Sequence, residues 1–176
     1  MLDRFTNELL KWNKIHKLTN YNTKEEIKTQ IEDSLYPLQI EPSLKEAKTA
    51  IDIGTGAGFP GLILATQMPN TKWYLVEPLK KRYSFLNYLK TILNLKNVEI
   101  IPKRLEQADI EKADLITSRA VMPTKEILQI AKPFMKKDAT ILLYKGSNVF
   151  DEIKEIKAKI ISKDKRNYLF IKEENE

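Results

Sequence analysis

The chain has 176 residues, 42% of them hydrophobic and 31% charged, the size and composition of one globular domain able to bury a core. With no cysteine and one histidine, His16, disulfides, thiolate metal ligands and a cysteine nucleophile are excluded and no metal site is expected. A net charge of +6, with basic residues gathered at Lys11, Lys14 and Lys17, at Lys80 to Arg82, at Lys103 and Arg104, and at Lys163, Lys165 and Arg166, fits a phosphate-rich partner, although a lysine-rich genome would give the same excess.

No apolar run reaches membrane-spanning length and the start does not read as a leader, so a cytoplasmic protein without membrane contact is expected. Phe5, Leu9, Trp12 and Ile15/His16 recur at helical spacing and predict a first helix with one apolar stripe and lysines opposite. A lone histidine there reads as a packing or surface residue rather than a base. Leu18 to Asn22 interrupts the pattern, and Thr23 with Glu26 forms a capping box for a second helix through Ile27, Ile31 and Leu35 to Pro37. With no Gly/Ser-rich linker, residues 1–48 are expected to cap residues 49–176 within a single domain.

From Ala50 the text alternates strand and helix, which predicts a mostly parallel α/β sheet. Strands are expected at Ala50–Ile53, Lys72–Glu77, Val98–Pro102, Ala113–Ser118 and Ala139–Tyr144, and helices at Phe59–Gln67, Lys80–Leu93 and Thr124–Met135. Lys159–Ile161 and Tyr168–Ile171 leave room for a closing antiparallel hairpin before the acidic tail Glu173–Glu176.

Four of the 5 glycines, Gly54, Gly56, Gly58 and Gly61, crowd the turn after the first strand. Such crowding marks a strand-to-helix turn whose bare backbone approaches a ligand and aims N–H groups at it. The spacing also satisfies G-x-G-x-x-G, but Asp52, two residues before Gly54, discriminates. A carboxylate beneath a pyrophosphate is unhelpful, whereas S-adenosylmethionine carries a positive amino group and sulfonium that suit it. The pattern resembles motif I of the class I methyltransferases. Glu77, at the end of the second strand, then takes the position that accepts ribose hydroxyls in doubly wound nucleotide folds. Leu105 and Glu106 follow the third strand, where such enzymes usually cover the adenine.

The fourth strand ends Thr117-Ser118-Arg119-Ala120 and lacks the D/N-P-P-Y/F of amino-group methyltransferases. With no cysteine for carbon-5 chemistry, the target must be nucleophilic unaided, and guanine N7 is one such atom. For that reaction alignment and electrostatics replace a general base. Arg119 can fork onto guanine, phosphate or a cofactor carboxylate, or serve in a structural salt bridge. Arg119 and Lys145 are the candidate catalytic residues, acting by positioning, and Lys145, before Gly146, is also expected to contact RNA phosphate, as are Lys11, Lys14 and Lys17. Two other readings stay open: a nicotinamide-dependent oxidoreductase using the same glycine pattern, and a non-catalytic RNA-binding module.

Together these features resemble the glucose-inhibited division protein B family over most of the chain. Lys11-Trp12-Asn13-Lys14 with Leu18-Thr19-Asn20 is similar to its K-W-N-K…N-L-T motif, and Asp33-Ser34 to its D-S pair. Asp52 to Gly61 matches D-x-G-T-G-x-G-x-P-G; Ser118-Arg119-Ala120 and Lys145-Gly146 match S-R-A and K-G. The resemblance implies a Rossmann-like methyltransferase that uses S-adenosylmethionine to form 7-methylguanosine in 16S ribosomal RNA, acting on free RNA or the small ribosomal subunit; a monomer is expected. It carries cofactor binding onto Gly54, Phe59, Leu105, Glu106 and Arg119. Thr29-Gln30 departs from the family's R-H, and both termini read as shorter than the family's.

Overall fold

In the computed structural model, residues 1–119, 122–154 and 156–172 are described. Ala120 and the Glu173–Glu176 tail lie outside them. Helices α1 (Leu2–His16) and α2 (Lys24–Ile40) precede the alternating part, in which β1 (Thr49–Ile53), α3 (Gly61–Gln67), β2 (Lys72–Val76), α4 (Lys80–Ile92), β3 (Val98–Ile101), β4 (Ala113–Arg119), α5 (Thr124–Ala131), β5 (Met135–Lys145), α6 (Val149–Glu152), β6 (Lys159–Lys163) and β7 (Arg166–Lys172) follow. The sheet has seven strands in the order β3-β2-β1-β4-β5-β7-β6. Strands β1 to β5 run parallel, and β7 inserts antiparallel between β5 and β6. The expected α/β class and closing hairpin are both present.

The parallel strands are buried on both faces, as a sheet covered by crossovers must be. Alternation assigns each side chain to a layer. Trp73 and Leu75 of β2 join Phe5, Leu9, Ile27, Leu62 and Phe85 on the face covered by α1 to α4. Tyr74 and Val76 join Ile51, Ile53, Ile116 and Ile127 on the α5 face. Helices α1 and α2 therefore contribute to the same core as the glycine-turn helix.

The capping box forms: the Thr23 hydroxyl accepts the Glu26 N–H at 3.2 Å, and the Glu26 carboxylate accepts the Thr23 N–H at 3.0 Å. The second helix continues past Pro37 to Ile40, because buried Leu38 anchors the extra turn. In the first helix the stripe stops at Trp12; Ile15 is 77% exposed, and Asn13 takes the buried place below Leu9. The expected Thr124–Met135 helix ends at Ala131, since Pro133 cannot donate to the Gln129 carbonyl; Met135 instead opens β5, which kinks at Asp138 (φ 64°) before the stretch legible as a strand. Among the described residues no helix is long and apolar enough to cross a membrane.

Candidate functional site

At the carboxyl edge of the sheet β1 gives way to the glycine turn. The Gly54 and Thr55 N–H groups donate to the Val76 carbonyl at 2.9 and 3.1 Å, so the turn crosses the end of β2 before α3 begins. Gly56 sits at φ +60°, and a Cβ there would meet nothing nearer than the Gly54 carbonyl at 4.0 Å, leaving open space above the backbone. Gly61 is required for a different reason: a Cβ would stand 2.5 Å from Asp52 Oδ2.

Two buried carboxylates hold this turn. Asp52 is fully buried; its Oδ2 accepts the Gly61 N–H at 2.9 Å and its Oδ1 accepts the Thr117 hydroxyl at 2.7 Å. Burial pushes its carboxyl up to about 6, against the lowering effect of these bonds and of the Arg119 charge. This corrects the expected role, an acid facing the positive groups of a ligand: Asp52 lies beneath the turn and pins the start of α3. Glu77, 2% exposed, does face the cleft. Its Oε2 accepts the Gly56 N–H at 3.0 Å and its Oε1 the Leu79 N–H at 2.9 Å, with Arg82 Nη1 at 3.7 Å. Each oxygen keeps a lone pair for a hydroxyl donor.

The cleft, of about 620 Å³, is walled by Gly54, Gly56, Phe59, Glu77 and Pro78 on one side and by Lys17 to Tyr21 on the other. That second wall is fixed by Asn13, whose Oδ1 accepts the Thr19 N–H at 2.9 Å while its Nδ2 donates to the Tyr21 carbonyl at 3.0 Å. Lys81 Nζ donates to the last carbonyls of the α1 end, His16 at 3.2 Å and Lys17 at 3.3 Å. Phe59 is gripped edge-on by Phe5 and Tyr21, with ring centroids 5.4 and 6.2 Å away.

Arg119 reaches the cleft from the end of β4, its guanidinium 4.9 Å from the Phe59 ring centroid. Nη1 donates to Gln30 Oε1 at 3.0 Å and to Asp33 Oδ2 at 3.4 Å, whereas Nε and Nη2 make no hydrogen bond to a described residue. Lys145, expected to reach RNA phosphate, is buried instead. Its Nζ bonds Glu152 at 2.9 Å and the Met122 carbonyl at 3.0 Å, because Glu152, which also accepts from the Thr124 N–H and hydroxyl, draws the ammonium inward. Gly58 packs against Leu62 and Phe5 rather than lining the cleft, buried Leu105 and exposed Glu106 also fall outside its walls, and Lys11 is tied to Glu8 at 2.7 Å. Lys14 and Lys17 are exposed, and His16 lies exposed against Trp12 at 5.2 Å. The contacts of Asn13, Gln30 and Asp33 were not legible as such; the signals were the K-W-N-K…N-L-T pattern for Asn13, the D-S pair for Asp33 and, for Gln30, the place where the family has R-H.

The family model GidB, rRNA small subunit methyltransferase G, matches residues 1–176. The ribosomal RNA small subunit methyltransferase G of Wolinella succinogenes is 46% identical over 170 residues, covering 96% of this chain and 86% of that protein. The protein of the same description from Helicobacter pylori strain 26695 is 40% identical over 176 residues, covering 99% and 97%. Among solved structures, a SAM-dependent O-methyltransferase from Thermotoga maritima superposes with a TM-score of 0.68 at 14% identity, covering 96% of this chain and 70% of that one, a likeness of fold.

Proposed function

The chain belongs to the GidB family and is an S-adenosylmethionine-dependent methyltransferase that modifies guanine N7 in 16S ribosomal RNA; from that premise we propose that the cleft beneath Phe59 holds the cofactor and receives the base. The observation that carries the assignment of the cleft is Glu77, a buried carboxylate at the end of β2 with an unused lone pair on each oxygen, set beside a backbone that leaves room above Gly56. Those features fit an adenosine: Glu77 accepts its ribose hydroxyls and the turn accommodates its close approach.

When bound, S-adenosylmethionine supplies a methyl group activated by its sulfonium. Guanine N7 offers an in-plane lone pair and carries no proton, so no side chain has to act as a base. The chain contributes alignment and charge. Phe59 and Tyr21 shape the apolar part of the cleft, and Arg119 offers Nε and Nη2 to incoming oxygen acceptors, first of all the cofactor carboxylate. Asp52 acts from below, keeping the turn and α3 in register. Gly54, Gly56 and Phe59 line the binding surface. Leu105 and Glu106 take the adenine-side family positions just after β3.

Lys17, exposed in the second wall, and exposed Lys14 and Lys11 on the preceding helix are assigned to RNA phosphates. We infer that the enzyme works as a monomer in the cytoplasm: the large apolar side chains left exposed among the described residues are few, Met1, Ile15, Leu79 and Phe150.

The test is methyl transfer from labelled S-adenosylmethionine to small ribosomal subunits lacking the modification, with nucleoside analysis of the digested RNA. Label in 7-methylguanosine that disappears in Glu77→Ala, together with cofactor binding, supports the assignment. Cofactor affinity unchanged in Glu77→Ala overturns it.

A further inference from the structure

Asp33 lies in the middle of α2, outside the glycine turn, yet its carboxylate gathers partners from two strands of the sheet. Oδ1 accepts Arg166 Nε at 3.1 Å and the Tyr168 hydroxyl at 2.8 Å, both from β7; Oδ2 faces Arg119 Nη1 at 3.4 Å, from the end of β4. The side chain is 12% exposed. One turn earlier on the same helix face, Gln30 Oε1 accepts from the same Nη1 at 3.0 Å.

We propose that Asp33 is a positioning residue for methyl transfer: it fixes the Arg119 guanidinium over Phe59, so that the donors left free on Arg119 are presented to the cleft. This rests on the reading of Arg119 as a cleft ligand. An arginine at a strand end has many rotamers, and stacking on Phe59 at 4.9 Å does not choose between the rotations of the guanidinium within its own plane. Bonds at one defined nitrogen do. Gln30 and Asp33 both engage Nη1, which commits that nitrogen to α2 and leaves Nε and Nη2 for incoming acceptors. Of the two partners only Asp33 is charged, and it also separates two cations, Arg119 and Arg166, that would otherwise repel across the same half-buried space. The two donors on Oδ1 keep the carboxylate from rotating away, because turning it would break both. The chain thus sets the orientation of a cleft residue from a helix that contributes no atom to the reaction.

The experiment is a double-mutant cycle of Asp33→Asn and Arg119→Ala, read by methyl transfer to undermethylated small subunits and by thermal unfolding of each protein. Arg119→Ala is expected to lower kcat/KM by about 100-fold. Asp33→Asn is expected to lower kcat roughly tenfold with KM for RNA within about twofold, since misorientation acts on the reacting geometry. In the Arg119→Ala background the Asp33→Asn change should cost no further activity, while its effect on Tm persists. An Asp33→Asn loss that appears in full in both backgrounds, or no loss at all beside an impaired Arg119→Ala, overturns the proposal and leaves the Arg119 reading intact. Unimpaired Arg119→Ala overturns both. Should Asp33→Asn not fold, Tyr168→Phe removes only one donor from Oδ1; a loss of about twofold to threefold that vanishes in Arg119→Ala supports the proposal, and an additive loss overturns it.

Discussion

The wall of the cleft and the layer directly under it are built from the same residue types with opposite uses. Each has a buried carboxylate and a cation at the end of a parallel strand: Glu77 and Arg119 in the wall, Asp52 and Lys145 below or beside it. Asp52 is sealed off from the cleft, its oxygens on the Gly61 N–H and the Thr117 hydroxyl, and Lys145 is turned onto Glu152 and the Met122 carbonyl. Glu77 and Arg119 keep unused bonding capacity on the cleft side. Residue type at a strand end therefore does not separate a candidate ligand site from scaffolding; access of the polar atoms to the cleft does.

The sharpest test of that distinction is Glu77→Ala, which removes the carboxylate proposed to accept both ribose hydroxyls. Cofactor affinity measured by calorimetry is expected to fall by about 3 kcal/mol, roughly 100-fold. A loss of thermal stability with affinity intact would move Glu77 into the lower layer.

Asp52 should report through pH instead. Its pKa is raised in the folded state to about 6, above the unfolded value, so its contribution to stability is fully present below about pH 4 and is lost as the pH rises through 6. Relative to Asp52→Asn, the native chain is expected to lose about 2 to 3 kcal/mol of unfolding free energy between pH 4 and pH 7 in denaturant titrations. A difference between the two proteins that does not change with pH would show the carboxyl to be free of that burial cost.

Gly61→Ala pushes a methyl group into the Asp52 carboxylate. We expect a loss of about 2 kcal/mol, seen as a Tm lower by roughly 4 to 8 °C. An unchanged Tm would mean that α3 can slide away from β1.

Lys145→Met removes the ammonium from Glu152 and is expected to lower stability by about 1 kcal/mol while KM for the ribosomal substrate stays within about twofold. A salt-dependent rise in KM would return Lys145 to the RNA face.

The smallest effect is assigned to Lys17→Ala. A rise in KM of a few fold, with the salt slope of RNA binding reduced by about 1, is what one phosphate contact contributes.

Much of this architecture could be read in advance. The crowded glycines, the capping box of Thr23 and Glu26, and the strand–helix alternation each follow from local physics, and the elements they predict are present within a few residues of the expected ends. The misplacements have local causes too. Pro133 converted the end of an apolar helical pattern into a 3-10 turn, and Asp138 split β5 so that only its second half read as a strand. In the site, the positions of Gly56, Glu77 and Arg119 at the carboxyl edge follow from topology. The inward turn of Lys145 does not, because Glu152 and Met122 are brought to it by tertiary packing, and nothing in a spacing announces which acid a lysine will meet. Asn13 is the converse case: its position in the K-W-N-K pattern was visible, but its three-way grip on the Thr19 to Asn22 segment exists only once that segment folds back.

The insertion of β7 between β5 and β6 has a consequence for the time at which the enzyme becomes competent. Asp33 is made early and its β7 partners, Arg166 and Tyr168, more than 130 positions later, at separations of 133 and 135 residues. A growing chain can complete the glycine turn and the parallel strands while the carboxylate beside Arg119 still lacks the donors that hold it. Long-range pairings of this kind form last. Competence for methyl transfer then arrives as a final, late-closing event of biosynthesis, and a product cut short before β7 would carry the turn without an oriented Arg119.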